Sequence, residues 1–383
     1  VEKRPALLTL PPTKSKSSLP RKPGPLGDPD HYLTKPELIV KGYLNLALRD
    51  FTGSMIGSRL IYRFATETPD LFCNAGLALL IGADHTPAFR YLTHLLLRQD
   101  DVMGIVADPI RFNKLDAQTL FLHLMSFDPG LDIRLAKYVQ RNENNLQGRF
   151  TDQTAERALD ILDVASHGRR IVQILSHLVE HNNPRISSKA TLVIGRRIQN
   201  VDWVERQMKI QDDPRHRANA IQSIWGIDSQ KARRLLEDHV PDPNNRVAGN
   251  ATYGLHTLGD TRASEFAKRM ANHADPEFRW TAAWVMGKIG HPNLVDPLQE
   301  LLRDDNPQVK SASLRALVGI QREFARQEAA KPRIVLPVPL QPAKVAAEKR
   351  VQEKRAQNKG RILIPDMEIS LDGKHTATRL VYR

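Results

Sequence analysis

The sequence predicts an all-α fold, a solenoid of stacked helical hairpins, with extended basic tails and a small C-terminal β-hairpin. Three observations predict it. From about residue 35 to about 325, apolar residues recur at spacings of three and four, as in "KPELIVKGYLNLALRDF" and "DAQTLFLHLMSF", and strand-like alternation is absent. Within that span a proline-anchored pattern returns five times, at Pro184, Pro214, Pro243, Pro276 and Pro307, with spacings of 30, 29, 33 and 31 residues. Both ends depart from this texture, being rich in proline and in lysine and arginine.

The elements follow in order. Residues 1–34 form an arm rich in Pro, Lys and Ser, with too little apolar content to fold alone and an extended or polyproline-like character. Residues 35–150 are helical without holding the repeat register, either divergent repeats or a separate helical cap. Thr68-Pro69, Thr86-Pro87 and Asp108-Pro109 supply helix starts there, because proline fits a first turn whose N–H needs no partner. Residues 151–326 hold the repeats, with "TDQTAERALDILDVASHGRRIVQILSHLVEH" (151–181) as a degenerate earlier unit. In the last copy, "QREFARQEAA" reads as a more polar, capping second helix. Residues 327–360 form a linker, first Pro-rich and then charged. In residues 361–383 Leu363, Pro365, Met367, Ile369 and Leu371 alternate with more polar neighbours, and Asp372-Gly373 supplies a hairpin turn.

Each position of the repeat has a physical task. Asp or Asn before the proline caps a helix by accepting orphan N–H groups. Three residues after the anchor stand Ser187, Arg217, Arg246, Arg279 and Lys310, basic in four copies and able to reach the acidic cap of an adjacent unit. Six after it stand Ala190, Ala220, Gly249, Ala282 and Ser313, small enough for neighbouring helices to approach closely. Eleven or twelve after it stand Gly195, Gly226, Gly254, Gly287 and Gly319, read as relaxing or ending the first helix. A hairpin of about thirty residues cannot bury its apolar face alone, so the units stack.

This pattern resembles the HEAT repeat family, most closely its short bacterial subclass of HEAT-like repeats named after phycobilisome lyases, with good register over 182–320. The resemblance implies an armadillo-like α-solenoid. HEAT-like hydroxylases of deoxyhypusine carry His-Glu pairs for iron, and no His-Glu dipeptide occurs here. HEAT-like alkylpurine DNA glycosylases combine aromatics with an acidic residue, for which Trp203 beside Asp202 is the nearest counterpart. A bilin lyase activity is implied by the subclass name alone, and no residue is nominated for it.

The chemistry-bearing residues form no catalytic constellation. His177 and His181 lie four apart with Glu180 nearby, but a metal needs three or four converging ligands, and no third is identified. Asp84-His85 lacks an activated serine or cysteine. "GSMIGS" (53–58) lacks the spacing and lysine of a phosphate loop. Cys73, the only cysteine, sits on an apolar helix and excludes internal disulfides. No catalytic, cofactor or metal residue is therefore assigned. The candidates for partner binding are Trp280, Trp284, Trp225 and Trp203, together with Arg217, Arg246 and Arg279. Trp280 and Trp284, four apart on one helix, are expected to pack against the neighbouring unit.

The formal charge of +13 sits mostly in the tails. Residues 1–30 hold six Lys/Arg against three Asp/Glu, and residues 331–383 hold twelve against five. The expected function is a non-catalytic scaffold or adaptor that organises protein partners on the solenoid surface, with tails able to meet a nucleic acid or lipid surface. The alternative is a nucleic-acid-binding solenoid, glycosylase-like or gripping the phosphate backbone. No window is long and apolar enough for a membrane span. The expectation is a soluble, cytoplasmic chain, with export or peripheral membrane attachment open because Val1 stands where a native start would have Met.

Overall fold

A computed structural model describes residues 29–51, 55–81, 86–143, 150–330, 363–365 and 380–382. After a 3₁₀ turn at Pro29–Tyr32 come α1 (Lys35–Arg49), α2 (Met55–Glu67), α3 (Pro69–Leu80) and α4 (Pro87–Leu97). Helix α1 packs on α2 and α3 on α4, while α1 lies against α3 and α2 against α4, so two hairpins stack in parallel. Next come α5 (Val102–Ala107), α6 (Lys114–Met125), α7 (Leu131–Asn142) and α8 (Asp152–Ala165), with α6 and α7 both packed on α8. The partner of α8 is broken into a 3₁₀ turn at Arg169–Ile171, α9 (Val172–Leu175) and a 3₁₀ stretch at Ser176–Glu180.

The repeats follow as α10 (Pro184–Ile198), α11 (Val201–Ile210), α12 (Pro214–Ser223), α13 (Gln230–His239), α14 (Asn245–Thr257), α15 (Ala263–Ala271), α16 (Pro276–Ile289), α17 (Val295–Leu301) and α18 (Pro307–Ala330). First helices stack on first helices: α8 on α10, α10 on α12, α12 on α14, α14 on α16. One buried apolar cluster runs unbroken from Tyr32 to Ile194, so the core does not divide near residue 150. Two more carry it onward, from Val201 to Ala263 and from Ala248 to Ile320. Each fully buried Leu, Ile or Phe in these clusters contributes about 1.5–3 kcal/mol, which is what a lone hairpin lacks.

The caps set the true register. Asn183, Asp213, Asn244 and Asp275 accept the backbone N–H of Arg185, Arg215, Arg246 and Glu277 at 2.9, 2.7, 3.0 and 2.8 Å. Asn306 does the same for Gln308 at 2.8 Å. These caps are 30, 31, 31 and 31 residues apart, more regular than the prolines. The third copy corrects the expectation: α14 starts at Asn245, two residues after Pro243. Asp242-Pro243 and Asn244-Asn245 both offer a start, and Asn244 wins because its side chain takes two helix N–H groups, those of Arg246 and Val247. Ala248 and Ala251 therefore fill the third and sixth positions there, and Arg246 moves into the first turn.

Two further expectations change. Gly287 does not end its helix: α16 runs to Ile289 and closes on Gly290, whose φ of 69° is the left-handed turn that glycine permits. Gly287 instead marks a close approach, where a Cβ would stand 2.7 Å from the Ala316 Cβ on α18. The last copy also has no separate second helix, since "QREFARQEAA" continues α18, a single helix of 24 residues. Nothing between Ser313 and Ala330 breaks it, as that stretch contains no proline and Gly319 is its only glycine.

One compact unit extends to Gln321 and a second begins at Arg322. In the second, Leu363–Pro365 and Leu380–Tyr382 pair antiparallel, with Leu363 opposite Tyr382. The expected turn at Asp372-Gly373 lies outside the described residues, as do nearly all of the N-terminal arm and of the linker.

Candidate functional site

The basic third position serves the stack itself. Arg217 pairs with Asp242, which is buried. The Arg279 guanidinium meets Asp304 with Nε–Oδ2 at 2.6 Å and Nη2–Oδ1 at 3.0 Å, and also donates to the carbonyls of His273 and Ala274. Both acceptors stand two residues before the next cap rather than at the cap itself. Hydrogen bonding from Arg279 holds the Asp304 carboxyl below its ordinary range. Arg217 and Arg279 are thus engaged between adjacent units, whereas Arg246 is exposed.

Several polar groups meet in ways the sequence did not disclose. Ser187 Oγ lies 3.1 Å from His216 Nδ1, with Thr191 Oγ1 3.4 Å from the same ring. This looks like a nucleophile and its base. However, Ser187 is 1% exposed and His216 0%, so no substrate reaches them, and Ser187 already donates to Val179 O at 2.6 Å. Burial pushes the His216 imidazole below its ordinary pKa. The only advance signal was a histidine one turn inside a capped helix.

His177 and His181 both face Glu143, a residue that sequence spacing did not connect to them. His181 Nδ1 accepts the Asn183 N–H at 2.9 Å, which places the proton of the neutral ring on Nε2, toward Glu143. A ring nitrogen bearing a proton donates and does not ligate. Among the described residues no group of three or more His, Cys, Asp or Glu is placed to hold a metal ion. Cys73 is buried, and desolvation pushes its thiol up to about 12. Asp84 and His85 lie outside the described residues.

The tryptophans separate into two roles. Trp203 packs half-buried between two core clusters, beside Gly195. The others converge. Trp225 donates from Nε1 to Asn250 O at 2.8 Å and meets Tyr253 edge-on at 4.8 Å. Tyr253 in turn meets Trp284 at 5.9 Å. Trp280, one turn before Trp284 on α16, is the wall shared by two grooves. One, of about 380 Å³, is polar and takes in Arg246, Glu277 and Gln308 at the starts of α14, α16 and α18. The other, of about 470 Å³, runs between α16 and α18, with Trp280 and Trp284 on one side and Lys288 and Arg315 at its rim. Its floor is Gly287, Ala312 and Ala316, all small, which keeps the groove open. The structure therefore gathers Trp225, Trp280, Trp284 and Arg246 around one region and leaves Trp203, Arg217 and Arg279 in packing and pairing roles.

Comparison with known proteins bears on the fold. No curated protein sequence matches the chain at a significant level. Among solved structures, the chain is similar to human deoxyhypusine hydroxylase in complex with glycerol, at 13% identity over 75% of this chain and 97% of that one, with a TM-score of 0.30. An engineered protein aligns at 14% identity over 64% of this chain and 95% of its own, with a TM-score of 0.25. A designed armadillo repeat protein aligns at 11% identity over 58% and 99%, with a TM-score of 0.22. Residues 263–333 match the family model described as HEAT repeats.

Proposed function

We propose that the chain is a non-catalytic scaffold that binds protein partners on its solenoid surface. The supporting observation is an apolar row on the outer face of the first described hairpin. On α1, Leu38, Ile39, Tyr43 and Leu46 are 38%, 53%, 42% and 58% exposed, with Ile39, Tyr43 and Leu46 on one face by helical spacing, and on α2 Met55 and Tyr62 are exposed as well. A helix face exposed to water is normally polar. A contiguous apolar one marks a contact surface. Residues 35–150 fit the same scheme as divergent copies of the repeat, since α1/α2 and α3/α4 stack helix on helix as the later units do. No described helix is long and apolar enough to cross a membrane.

The pairing of many basic residues of the repeats favours a protein partner over nucleic acid. Lys189, Arg196, Arg217, Lys231, Arg262 and Arg279 are all paired with carboxylates. A phosphate backbone needs a continuous stripe of unpaired cations. The test is crosslinking of the intact chain in extracts of its native source, with I39E/L46E alongside. Both positions are exposed, so the fold is retained. Specific protein partners whose recovery falls with I39E/L46E are expected. Recovery of nucleic acid alone, or of the same proteins by both forms, overturns the proposal.

A further inference from the structure

The groove between α16 and α18 has a chemistry of its own. In the register set by the caps, Tyr253, Trp284 and Arg315 occupy the same position, the ninth residue of α14, α16 and α18. Two rings are thus followed, one helix on, by a guanidinium. Trp284 is held from one side by Tyr253 and lies 6.4 Å from Trp225, whose own indole is fixed by its bond to Asn250. Its other side faces the groove. The small floor of Gly287, Ala312 and Ala316 leaves a groove of about 470 Å³, with space for one flat or apolar group between indole and guanidinium. Lys288 and Arg315 are exposed, and neither has an ion-pair or hydrogen-bond partner among the described residues. The residues lining this groove include no carboxylate. Two uncompensated cations beside rigid aromatic walls form a surface with an unmet demand for negative charge.

We propose that this groove docks a short, extended acidic peptide from a protein partner, with one aromatic or proline side chain against Trp284 and Trp280 and flanking carboxylates on Lys288 and Arg315. Extended peptides gain affinity from aromatic-walled grooves that are already formed, because the ordering cost falls on one partner only. A single strand of nucleic acid also offers a flat group and an anion. It would require a continuous run of free cations along the stack, and the run is interrupted on α16 itself, where Arg279 is paired with Asp304. The inference rests on the scaffold reading and names one class of partner for it.

The test is fluorescence anisotropy on the full chain, using a fluorescein-labelled peptide Asp-Glu-Asp-Phe-Pro-Leu-Asp-Glu. The controls are the same peptide with lysine at every acidic position, and a labelled oligothymidylate of equal charge. Saturable, salt-sensitive binding of the acidic peptide is expected, with none of the lysine peptide. W284A weakens it about tenfold or more, as for a buried aromatic anchor, while W284F retains most of it. K288E/R315E, at exposed positions that leave the fold intact, abolishes it. No binding of the acidic peptide overturns the proposal, as does equal binding by K288E/R315E. Tighter binding of oligothymidylate through these same residues also overturns it. If crosslinking recovers partners lost in I39E/L46E while the acidic peptide fails to bind, the scaffold reading stands and this groove assignment alone falls.

Discussion

Replacing Arg197 by methionine tests how the irregular unit of α8 is held to the repeats that follow it. At the corresponding position of the later copies stand Ile227, Leu258, Ile289 and Ile320, so the repeat calls for an apolar side chain and this copy buries an arginine, 7% exposed. The guanidinium donates to the carbonyls of Leu162 (2.6 Å), Asp163 (2.9 Å) and Ser166 (2.6 Å) at the end of α8, and to Val193 O (2.9 Å) on its own helix. Asp163 Oδ1 adds a longer contact at 3.3 Å. At Asp163 and Ser166 it thus takes up carbonyls that a helix leaves unpaired at its end, where the following helix is broken into 3₁₀ pieces, while Leu162 O also accepts the Ser166 N–H. Methionine fills the volume and donates nothing. Each buried carbonyl left without a donor costs about 1–3 kcal/mol, and removing one member of a buried charged network costs about 3–5 kcal/mol. These contributions overlap, so the expected loss is about 3–5 kcal/mol. The assay is urea unfolding followed by circular dichroism, together with hydrogen exchange across 158–181, where protection should fall first. Lysine, a single charged point on a flexible stem, should recover only part. A methionine variant within about 1 kcal/mol of the parent, with unchanged exchange, refutes the reasoning.

Three further outcomes follow from the packing. Gly249→Ala places a methyl 2.3 Å from Thr281 Cγ2, while Thr281 Oγ1 is held by Asn245 Nδ2 at 2.8 Å, so overpacking of about 1–3 kcal/mol outweighs the gain of roughly 1 kcal/mol in helix propensity. Gly42→Ala, with nothing within 4 Å, should stabilise by about 0.5–1 kcal/mol, and thermal unfolding of the pair reads the opposite signs. His216 and His256 both titrate below their ordinary value when folded, chiefly through desolvation. The unfolded chain therefore binds more protons as pH drops below about 6.5, so stability is full above that pH and declines beneath it. A His216→Gln variant should show a flatter decline between pH 7 and 5, and an unchanged slope would count against the burial argument. Cys73, with its thiol raised to about 12 and no exposure to speak of, should resist maleimide in the native chain and react at the rate of unfolding; rapid labelling of folded protein would contradict its placement.

Much of the fold was legible because its determinants are local. Spacings of three and four place apolar faces, and an Asn or Asp two residues before a helix N–H caps it wherever it occurs, which is why the stack and its period of about 31 residues can be read along the chain. The misreading at Pro243 has the same origin: proline is accepted both in a first turn and in the loop before a cap, and side-chain acceptance by Asn244, not the proline, fixes the start of α14. The site was legible in part. Tryptophans four apart necessarily share a helix face, but their convergence with Trp225 and Tyr253 joins residues about thirty apart in three successive units.

The sequence by itself determined the all-α class, the hairpin period and the caps, since each depends on residues within one or two turns of each other. Only the tertiary structure decided which charges remain free. Arg279 and Lys310 hold the same place in successive units, yet the first pairs with Asp304 and the second is exposed with no ion-pair partner among the described residues. Arg197 and His216 are polar residues that the stack buries because a neighbouring unit supplies their hydrogen bonds. Pairing and burial are properties of what the adjacent hairpin brings, and that neighbour is thirty residues away in the chain but in contact in the fold.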